Sequence, residues 1–232
     1  MRWFLTHRRS DLVELMDRDD CDPELLERTY ATFRRVNRLL SSWQAIYRQD
    51  IRPLLNARGG RATLLDIGCG GGDVMELLHE LAARDGFQLH CTGIDPDPRA
   101  IRYAQKQTWP DTIQFDAASS GQYAAAGRSF DIITSNHLLH HLTDQQLQDV
   151  CRDAQALSSG VVLFNDIERH DLAYASFRLI APVLFRNSFV PIDGPLSIRR
   201  SFTRRELQAL LPDGWTVTRQ PLFRLVARFE SS

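Results

Sequence analysis

The stretch LLDIGCGGGD, Leu64–Asp73, decides the fold of this chain. The apolar run Ala62–Ile67 has the composition of a buried strand, and the glycines after it predict a tight turn. The following segment, VMELLHEL, places its apolar residues on one face of a helix. A strand, a glycine turn and a helix together predict a nucleotide-cofactor site, because glycines let a ligand reach the backbone and a helix N-terminus is electropositive.

The spacing of the glycines separates this turn from two other nucleotide-binding motifs. The dinucleotide pattern G-x-G-x-x-G would need a glycine where the chain has Asp73, and no lysine follows as in a P-loop. The observed pattern is Gly68-x-Gly70-x-Gly72, with Asp66 before it. Two flanking carboxylates would repel a pyrophosphate, but they suit a ligand that carries an ammonium and a sulfonium.

The turn resembles the first motif of the class I S-adenosylmethionine-dependent methyltransferases. An ordinary glycine-rich turn between a strand and a helix would explain the glycines alone, but the downstream residues argue against it. Asp95 closes the second predicted strand, where an acid can accept hydrogen bonds from both ribose hydroxyls. The resemblance implies that S-adenosyl-L-methionine is the cofactor. It assigns cofactor contacts to Asp66, Gly68, Cys69, Gly70, Gly72, Asp95, Pro96, Asp116, Ala117, Asn136 and His137.

Two of these assignments depend on the ends of later strands. In this family an acid after the third strand holds the adenine amino group and a neighbouring backbone amide holds the ring, which implies these roles for Asp116 and Ala117. A simple turn aspartate is the alternative for Asp116. The segment after the fourth strand lines the methionine end of the cofactor, which implies that role for Asn136 and His137.

The string N-x-x-L-H-H-L after the fourth strand resembles methylases that act on quinones and related small aromatics. His140 or His141 is a candidate general base, since histidine titrates near neutral pH; a packed ring or a helix cap is the alternative. Asp166, at the end of the fifth strand, is the third catalytic candidate. His137 and His141 have the spacing of a zinc helix, but Leu138 stands where that motif needs glutamate, so we expect no metal.

Composition limits the class of protein. The chain has 232 residues, 43% of them hydrophobic, and a formal net charge of −1, which gives no reason to expect a nucleic-acid partner. Its four cysteines form no CxxC pair, and we find neither a signal peptide nor an apolar run of membrane-spanning length. We therefore expect a cytoplasmic protein, either a monomer or a homodimer, with a small-molecule acceptor as its partner.

From residue 61 onward, strand-like and helix-like segments alternate. This order predicts an α/β fold: a Rossmann-like, doubly wound, mostly parallel seven-stranded sheet, with an antiparallel last strand because no helix separates the final two strands. Residues 1–60 contain only helix-like segments and predict an N-terminal helical cap before the cofactor-binding domain, residues 61–232. Residues 171–201 break the alternation and predict a substrate-side insertion, an apolar helix followed by a proline- and glycine-broken loop.

These features together predict an S-adenosylmethionine-dependent methyltransferase. The expected acceptor is small and largely apolar, such as a phenol, a quinone-like molecule or a polyketide of secondary metabolism, with oxygen as the expected methyl acceptor. Two alternatives remain at this stage. One is a non-catalytic cofactor-binding or scaffold protein with the same fold, and the other is a nicotinamide-dependent oxidoreductase, which the glycine spacing disfavours.

Overall fold

Seven strands form one sheet at the centre of the protein. The computed structural model describes residues 4–231. The strands are β1 (Arg61–Ile67), β2 (Gln88–Ile94), β3 (Ile113–Asp116), β4 (Phe130–Asn136), β5 (Ser158–Ile167), β6 (Thr216–Gln220) and β7 (Arg224–Glu230). Their order across the sheet is β3-β2-β1-β4-β5-β7-β6. The first five are parallel, and β7 runs antiparallel to both β5 and β6. The predicted sheet is confirmed.

Helices cover both faces of the sheet. They are α1 (Pro23–Leu40), α2 (Trp43–Ile46), α3 (Arg52–Ala57), α4 (Asp73–Arg84), α5 (Pro98–Gln105), α6 (Ser120–Ala125), α7 (Asp144–Leu157), α8 (Asp171–Leu184), α9 (Val190–Arg200) and α10 (Arg204–Leu210). A π-helical turn, Tyr47–Ile51, joins α2 to α3, and short 3₁₀ turns occupy Leu15–Asp17 and Leu139–His141. None of the helices in residues 4–231 has the length and hydropathy needed to cross a membrane.

Local sequence signals explain where several helices begin. Asp22 caps α1 by accepting hydrogen bonds from the first backbone amides, and Pro23 occupies the first turn. The side chains of Thr143 and Gln146 form a capping box at the start of α7. An equivalent box caps α10. These short-range hydrogen bonds fix where the three helices begin.

The helices of the cap region are part of the main core. One face of the sheet packs against α4 and against a row of buried side chains from α2, the π-helical turn and α3, namely Trp43, Ile46, Tyr47, Ile51 and Leu55. The opposite face packs against α6, α7 and α10. Residues 41–57 therefore stabilise the sheet directly. Helix α1 instead reaches the carboxyl edge of the strands, where Asn37 contacts Asp73.

The structure corrects the expectation for the second half of the insertion. The stretch predicted to be a broken loop forms α9, although Pro195 lies inside it. Tertiary contacts explain why the helix forms. Val190 and Ile198 are buried, and the Asp193 carboxylate accepts hydrogen bonds from two backbone amides of the 3₁₀ turn Leu15–Asp17. The helix also packs closely on α8. The contact is so close that a Cβ atom at Gly194 would lie 2.1 Å from the Phe177 ring. Packing here outweighs local propensity.

Candidate active site

One cavity of about 640 Å³ lies at the carboxyl edge of the parallel strands. Its floor is the glycine turn after β1 and the ends of β2 and β4, and its walls come from α1, α8, α9 and the 3₁₀ turn Leu15–Asp17. Ligands of open α/β folds bind at this edge of the sheet. The cavity therefore places the predicted cofactor turn and the predicted catalytic histidines in one space.

Three glycines of the turn have left-handed backbone conformations, with φ of +69° at Gly68, +52° at Gly70 and +81° at Gly72. Their surroundings differ. A Cβ atom at Gly70 would meet only the Tyr30 ring, at 3.8 Å, so this backbone faces open space in the cavity. A Cβ atom at Gly72 would lie 2.6 Å from the Phe115 ring. Gly68 and Gly70 line the cavity, whereas Gly72 allows close packing behind it.

Carboxylates surround the turn. Asp66 is buried and accepts a hydrogen bond of 2.7 Å from Thr134 Oγ1, and Asp73 accepts one of 2.8 Å from Asn37 Nδ2. Burial raises the pKa of Asp66 to about 7 and that of Asp73 to about 6, and it also raises the pKa of Asp95. Among residues 4–231, no lysine, arginine or histidine forms an ion pair with any of the three. A ligand that brings its own positive charges fits this site.

The Asp95 carboxylate is held in a fixed orientation. Its Oδ2 atom accepts a hydrogen bond of 3.0 Å from the Gly70 amide, and its Oδ1 atom accepts one of 2.9 Å from the Asp97 amide. Asp95 and Pro96 both line the cavity. Each carboxylate oxygen retains a lone pair for a further donor. This geometry fits the ribose hydroxyls of a nucleoside.

Three other candidate cofactor residues have different surroundings. Asp116 and Ala117 follow β3, beside the end of β2, but both are exposed and neither is part of the cavity lining in the described chain. The Asp116 carboxylate accepts a hydrogen bond of 3.1 Å from Tyr123 Oη. Cys69 is buried and lines the cavity, and burial raises the pKa of its thiol, which suits a small packing residue better than a nucleophile.

His140 and His141 line the same cavity, and the third catalytic candidate, Asp166, contacts His140. Asp166 holds His140 at two points: one carboxylate oxygen lies 2.7 Å from His140 Nδ1, and the other accepts a 2.8 Å hydrogen bond from the His140 amide. The opposite ring nitrogen of His140 faces Glu14 Oε1 at 3.5 Å. His141 Nδ1 lies 3.0 Å from Asp17 Oδ2. Five side chains thus form a cluster of two imidazoles and three carboxylates.

The charges in this cluster are strongly coupled. Burial lowers the pKa of His140, but the carboxylates of Asp166 and Glu14 outweigh this effect and raise it to about 9. Burial would raise the pKa of Asp166, but the adjacent His140 holds it well below its usual range. His140 is therefore protonated at neutral pH in the unliganded protein, and an acidic acceptor hydroxyl beside it would be stabilised as its anion.

His137 and Asn136 also line the cavity. The backbone of His137 is left-handed, with φ of +60°, and its amide donates a hydrogen bond of 3.0 Å to the Asn165 carbonyl. Its Nε2 atom contacts the Arg224 guanidinium, and burial and this cation lower the pKa of the imidazole. Asn136 Oδ1 accepts a hydrogen bond of 3.0 Å from Trp43 Nε1, which ties the end of β4 to the helical cap.

Several cavity residues have no signal in the local sequence. Glu14 and Asp17 come from the irregular N-terminal segment, and Tyr30 comes from α1. The buried Arg200, at the end of α9, donates hydrogen bonds to the carbonyls of His140 and His141. These residues lie far in sequence from the glycine turn and from the strand ends, so only the three-dimensional packing of α1 and α9 shows that they belong to the site.

Comparison with known proteins identifies the family. A family model described as a methyltransferase domain matches residues 32–213. Among curated proteins, the chain is 30% identical over 128 residues to the mitochondrial ubiquinone biosynthesis O-methyltransferase of Arabidopsis thaliana, covering 53% of this chain and 37% of that protein. It is 36% identical over 116 residues to the ubiquinone biosynthesis O-methyltransferase of Aromatoleum aromaticum, covering 48% and 46%. The chain thus spans less than half the length of each of these relatives.

Solved structures share the fold over nearly the whole chain. The plantazolicin methyltransferase BamL, in complex with a triazolic desmethylPZN analog and SAH, has a TM-score of 0.60 and 16% identity, covering 90% of this chain and 95% of that one. The magnesium protoporphyrin IX methyltransferase of Synechocystis PCC 6803, with bound SAH, has a TM-score of 0.52 and 14% identity, covering 94% and 91%. At these identities the similarity shows the fold alone. Because the family match spans most of the sequence and includes the glycine turn, the chain belongs to the methyltransferase-domain family, the class I S-adenosylmethionine-dependent methyltransferases that this turn resembles.

Proposed function

We propose that this protein transfers the methyl group of S-adenosylmethionine to an oxygen atom of a small, largely apolar acceptor that carries a phenol-type hydroxyl. The observation that carries the proposal is the single cavity that joins the acidic glycine turn to the histidine–acid cluster. One end has the chemistry for a cationic nucleoside cofactor, and the other has groups that stabilise or accept a proton. The named curated relatives act, by their names, as O-methyltransferases, which supports the choice of oxygen.

At the cofactor end, each group has a matching chemical role. The Asp95 carboxylate would accept hydrogen bonds from the ribose hydroxyls, and the open backbone at Gly70 would let the methionine portion approach closely. Burial raises the pKa of Asp66 and of Asp73, and no described cationic side chain lies at salt-bridge distance from either carboxyl group. A bound ammonium and sulfonium would favour the ionised carboxylates and compensate their negative charge. Asn136 and His137 would then lie near the methionine end.

For the acceptor, the cavity offers an apolar lining. Its apolar side chains include Phe33, Val36, Ala173, Phe177, Ala181 and Ile198. This lining comes from α1, α8 and α9, two of which belong to the predicted substrate-side insertion. A flat or branched hydrocarbon body fits against such side chains through the burial of apolar surface. A long polar acceptor, such as a polypeptide or a nucleic acid, has no comparable partner surface in this lining.

The chemical step is an in-line displacement. The acceptor oxygen forms a bond to the methyl carbon as the carbon–sulfur bond breaks, and sulfur keeps the electron pair and becomes a neutral thioether. The hydroxyl proton leaves through the histidine–acid cluster to solvent. A phenol titrates near pH 10 by analogy with tyrosine, so the positive charge of His140 would favour the reactive anion at lower pH. The chain otherwise aligns the two reactants and excludes water.

Product analysis tests this proposal. The protein is incubated with S-adenosylmethionine labelled in its methyl group and with matched pairs of small aromatic acceptors that carry either a hydroxyl or an amino group. We expect label in the methyl ethers and none in the amines. Label found on nitrogen or carbon would contradict oxygen as the acceptor. A protein that binds the cofactor but methylates neither series would support the non-catalytic alternative.

A further inference from the structure

We propose that the histidine–acid cluster binds one divalent transition-metal cation, with Glu14, His140 and His141 as its protein ligands. One carboxylate oxygen and one nitrogen from each imidazole lie within 4.8 Å of one another. Two imidazole nitrogens and one carboxylate oxygen form a donor set suited to Zn²⁺ and to other first-row divalent cations. The inference rests on the proposed function, because the site lies on the wall of the same cavity.

Two of the three distances between donor atoms are close to those of a bound metal ion. His140 Nε2 lies 3.5 Å from Glu14 Oε1, and His141 Nε2 lies 4.0 Å from the same oxygen. Ligand atoms around a tetrahedral zinc ion are about 3.4 Å apart, since each bond is roughly 2.0–2.1 Å long. The first pair already has that spacing. The distance between His141 Nε2 and Glu14 Oε1 would have to shorten by about 0.6 Å to match a tetrahedral site.

Two of the three donor atoms are buried without a normal hydrogen bond. Glu14 and His140 are 2% and 1% exposed, and neither Glu14 Oε1 nor His140 Nε2 has a hydrogen-bond partner in residues 4–231. Buried polar atoms are almost always satisfied in folded proteins, so a facing pair of unsatisfied atoms needs an explanation. A cation between them would satisfy both atoms at once.

The remaining ring nitrogens are held as metal-binding histidines usually are. Asp166 lies 2.7 Å from His140 Nδ1, and Asp17 lies 3.0 Å from His141 Nδ1. In the neutral imidazole, an Nδ1 atom that donates its proton to a carboxylate leaves the lone pair on Nε2, the atom that faces Glu14, so metal binding to His140 would displace its second proton. Two separate carboxylates therefore orient two imidazoles toward one shared point.

The Arg200 guanidinium, which is close to Glu14, does not fill this point. Arg200 Nε lies 3.9 Å from Glu14 Oε1, and its N–H groups donate to the carbonyls of Leu12, His140 and His141. The competing occupant is a proton on His140, shared between Glu14 and Asp166. The spacing of His137 and His141 plays no part in the proposed site, because the His137 ring contacts Arg224.

A cation held by three protein ligands would have a function in methyl transfer. Catalytic metal sites keep a coordination position open for water or substrate, and here that position would be on the cavity side. An acceptor hydroxyl that binds there loses its proton to solvent more readily, since the cation stabilises the oxygen anion. The ligand class that the site would take is therefore a Zn²⁺-like cation together with a hydroxylated acceptor.

Metal binding is measured directly, without the acceptor. Metal-stripped protein is dialysed against Zn²⁺, and in a separate series against Co²⁺, and the bound metal is counted by elemental analysis and by the visible absorption of Co²⁺. We expect one ion per chain in the wild type and in His90→Ala, a matched control at an exposed histidine. Glu14→Gln and His141→Ala should each weaken binding at least tenfold.

Circular dichroism checks that each variant is folded. If Glu14→Gln does not fold, His141→Ala alone tests the metal site, because His141 is partly exposed and its replacement should be tolerated. The metal site would be overturned if the wild type bound less than one ion per chain. It would also be overturned if Glu14→Gln and His141→Ala bound the metal as tightly as the wild type. Methyl transfer at full rate in excess chelator would overturn its role while leaving the proposed function intact. Stoichiometric metal without methylation of any hydroxyl would instead support the site and remove the proposed function.

Discussion

Asp66 and Asp73 show which properties of single residues can be predicted from sequence. Two acids that flank a glycine turn are visible in the sequence, and they lead to the prediction of a site unsuited to pyrophosphate. The distinct functions of the glycines are not visible in the same way. The sequence places Gly70 and Gly72 in one motif, but only the structure shows that Gly72 is needed because Phe115 packs against it.

The raised pKa of Asp66, about 7, leads to a prediction about pH. The folded, unliganded protein keeps a proton there that the unfolded chain loses above its ordinary pKa of 3.8. This group's contribution to the free energy of unfolding therefore falls as pH rises from about 4 to about 7. A bound cation favours the ionised carboxylate, so S-adenosylmethionine should raise the melting temperature more at pH 8 than at pH 5.5.

The control for this prediction is Asp66→Asn, which should reduce the difference between the two pH values. The comparison with and without ligand at each pH removes the pH dependence that other groups give the unliganded protein, such as His140, whose pKa is raised to about 9. A melting-temperature increase of equal size at pH 5.5 and pH 8 would show that the charge of Asp66 does not contribute to cofactor binding.

At the scale of elements, periodicity predicts which segments are helical but not what they pack against. The helix-like pattern of residues 43–55 is correct, yet it does not reveal that Trp43 and its neighbours are buried against β1 and α4. Apolar spacing gives the face of a helix and not its partner. The same reasoning explains the incorrect loop prediction at 190–200. Pro195 and Gly194 disfavour a helix locally, whereas contacts with α8 and the 3₁₀ turn Leu15–Asp17 stabilise it.

The burial of the cap helices predicts a large stability effect at Trp43. Replacing this 1% exposed side chain with alanine leaves a cavity in the core and removes the hydrogen bond to Asn136. We expect Trp43→Ala to lower the free energy of unfolding by about 3–5 kcal/mol, measured by denaturant titration. Gln44→Ala, at an exposed position on the same helix, should change it by less than about 0.5 kcal/mol. If Trp43→Ala were as stable as this control, the packing of Trp43 against the sheet would not contribute to the stability of the protein.

At the scale of the whole molecule, the two ends of the cavity differ in how well a sequence predicts them. The proposed cofactor end is built mainly from strand ends and one turn, each of which has a local signature, so the sequence already selects Asp66, Gly70 and Asp95, which line the cavity. The acceptor end combines segments that are far apart in the chain, including Glu14 and the buried Arg200. No local pattern connects such residues, because they meet only after α1, α8 and α9 have packed.

We predict that the acidic end of this cavity binds the nucleoside of the cofactor through Asp95. Titration calorimetry with S-adenosylhomocysteine, on the wild type, Asp95→Ala and the exposed control Asp111→Ala, tests it most directly. We expect one binding site per chain, an unchanged Kd in the control, and a loss of about 1–3 kcal/mol in Asp95→Ala, roughly 5- to 150-fold in Kd, because the ribose hydroxyls lose their partner. Equal affinity in Asp95→Ala and the wild type would show that Asp95 does not hold the ribose of the cofactor.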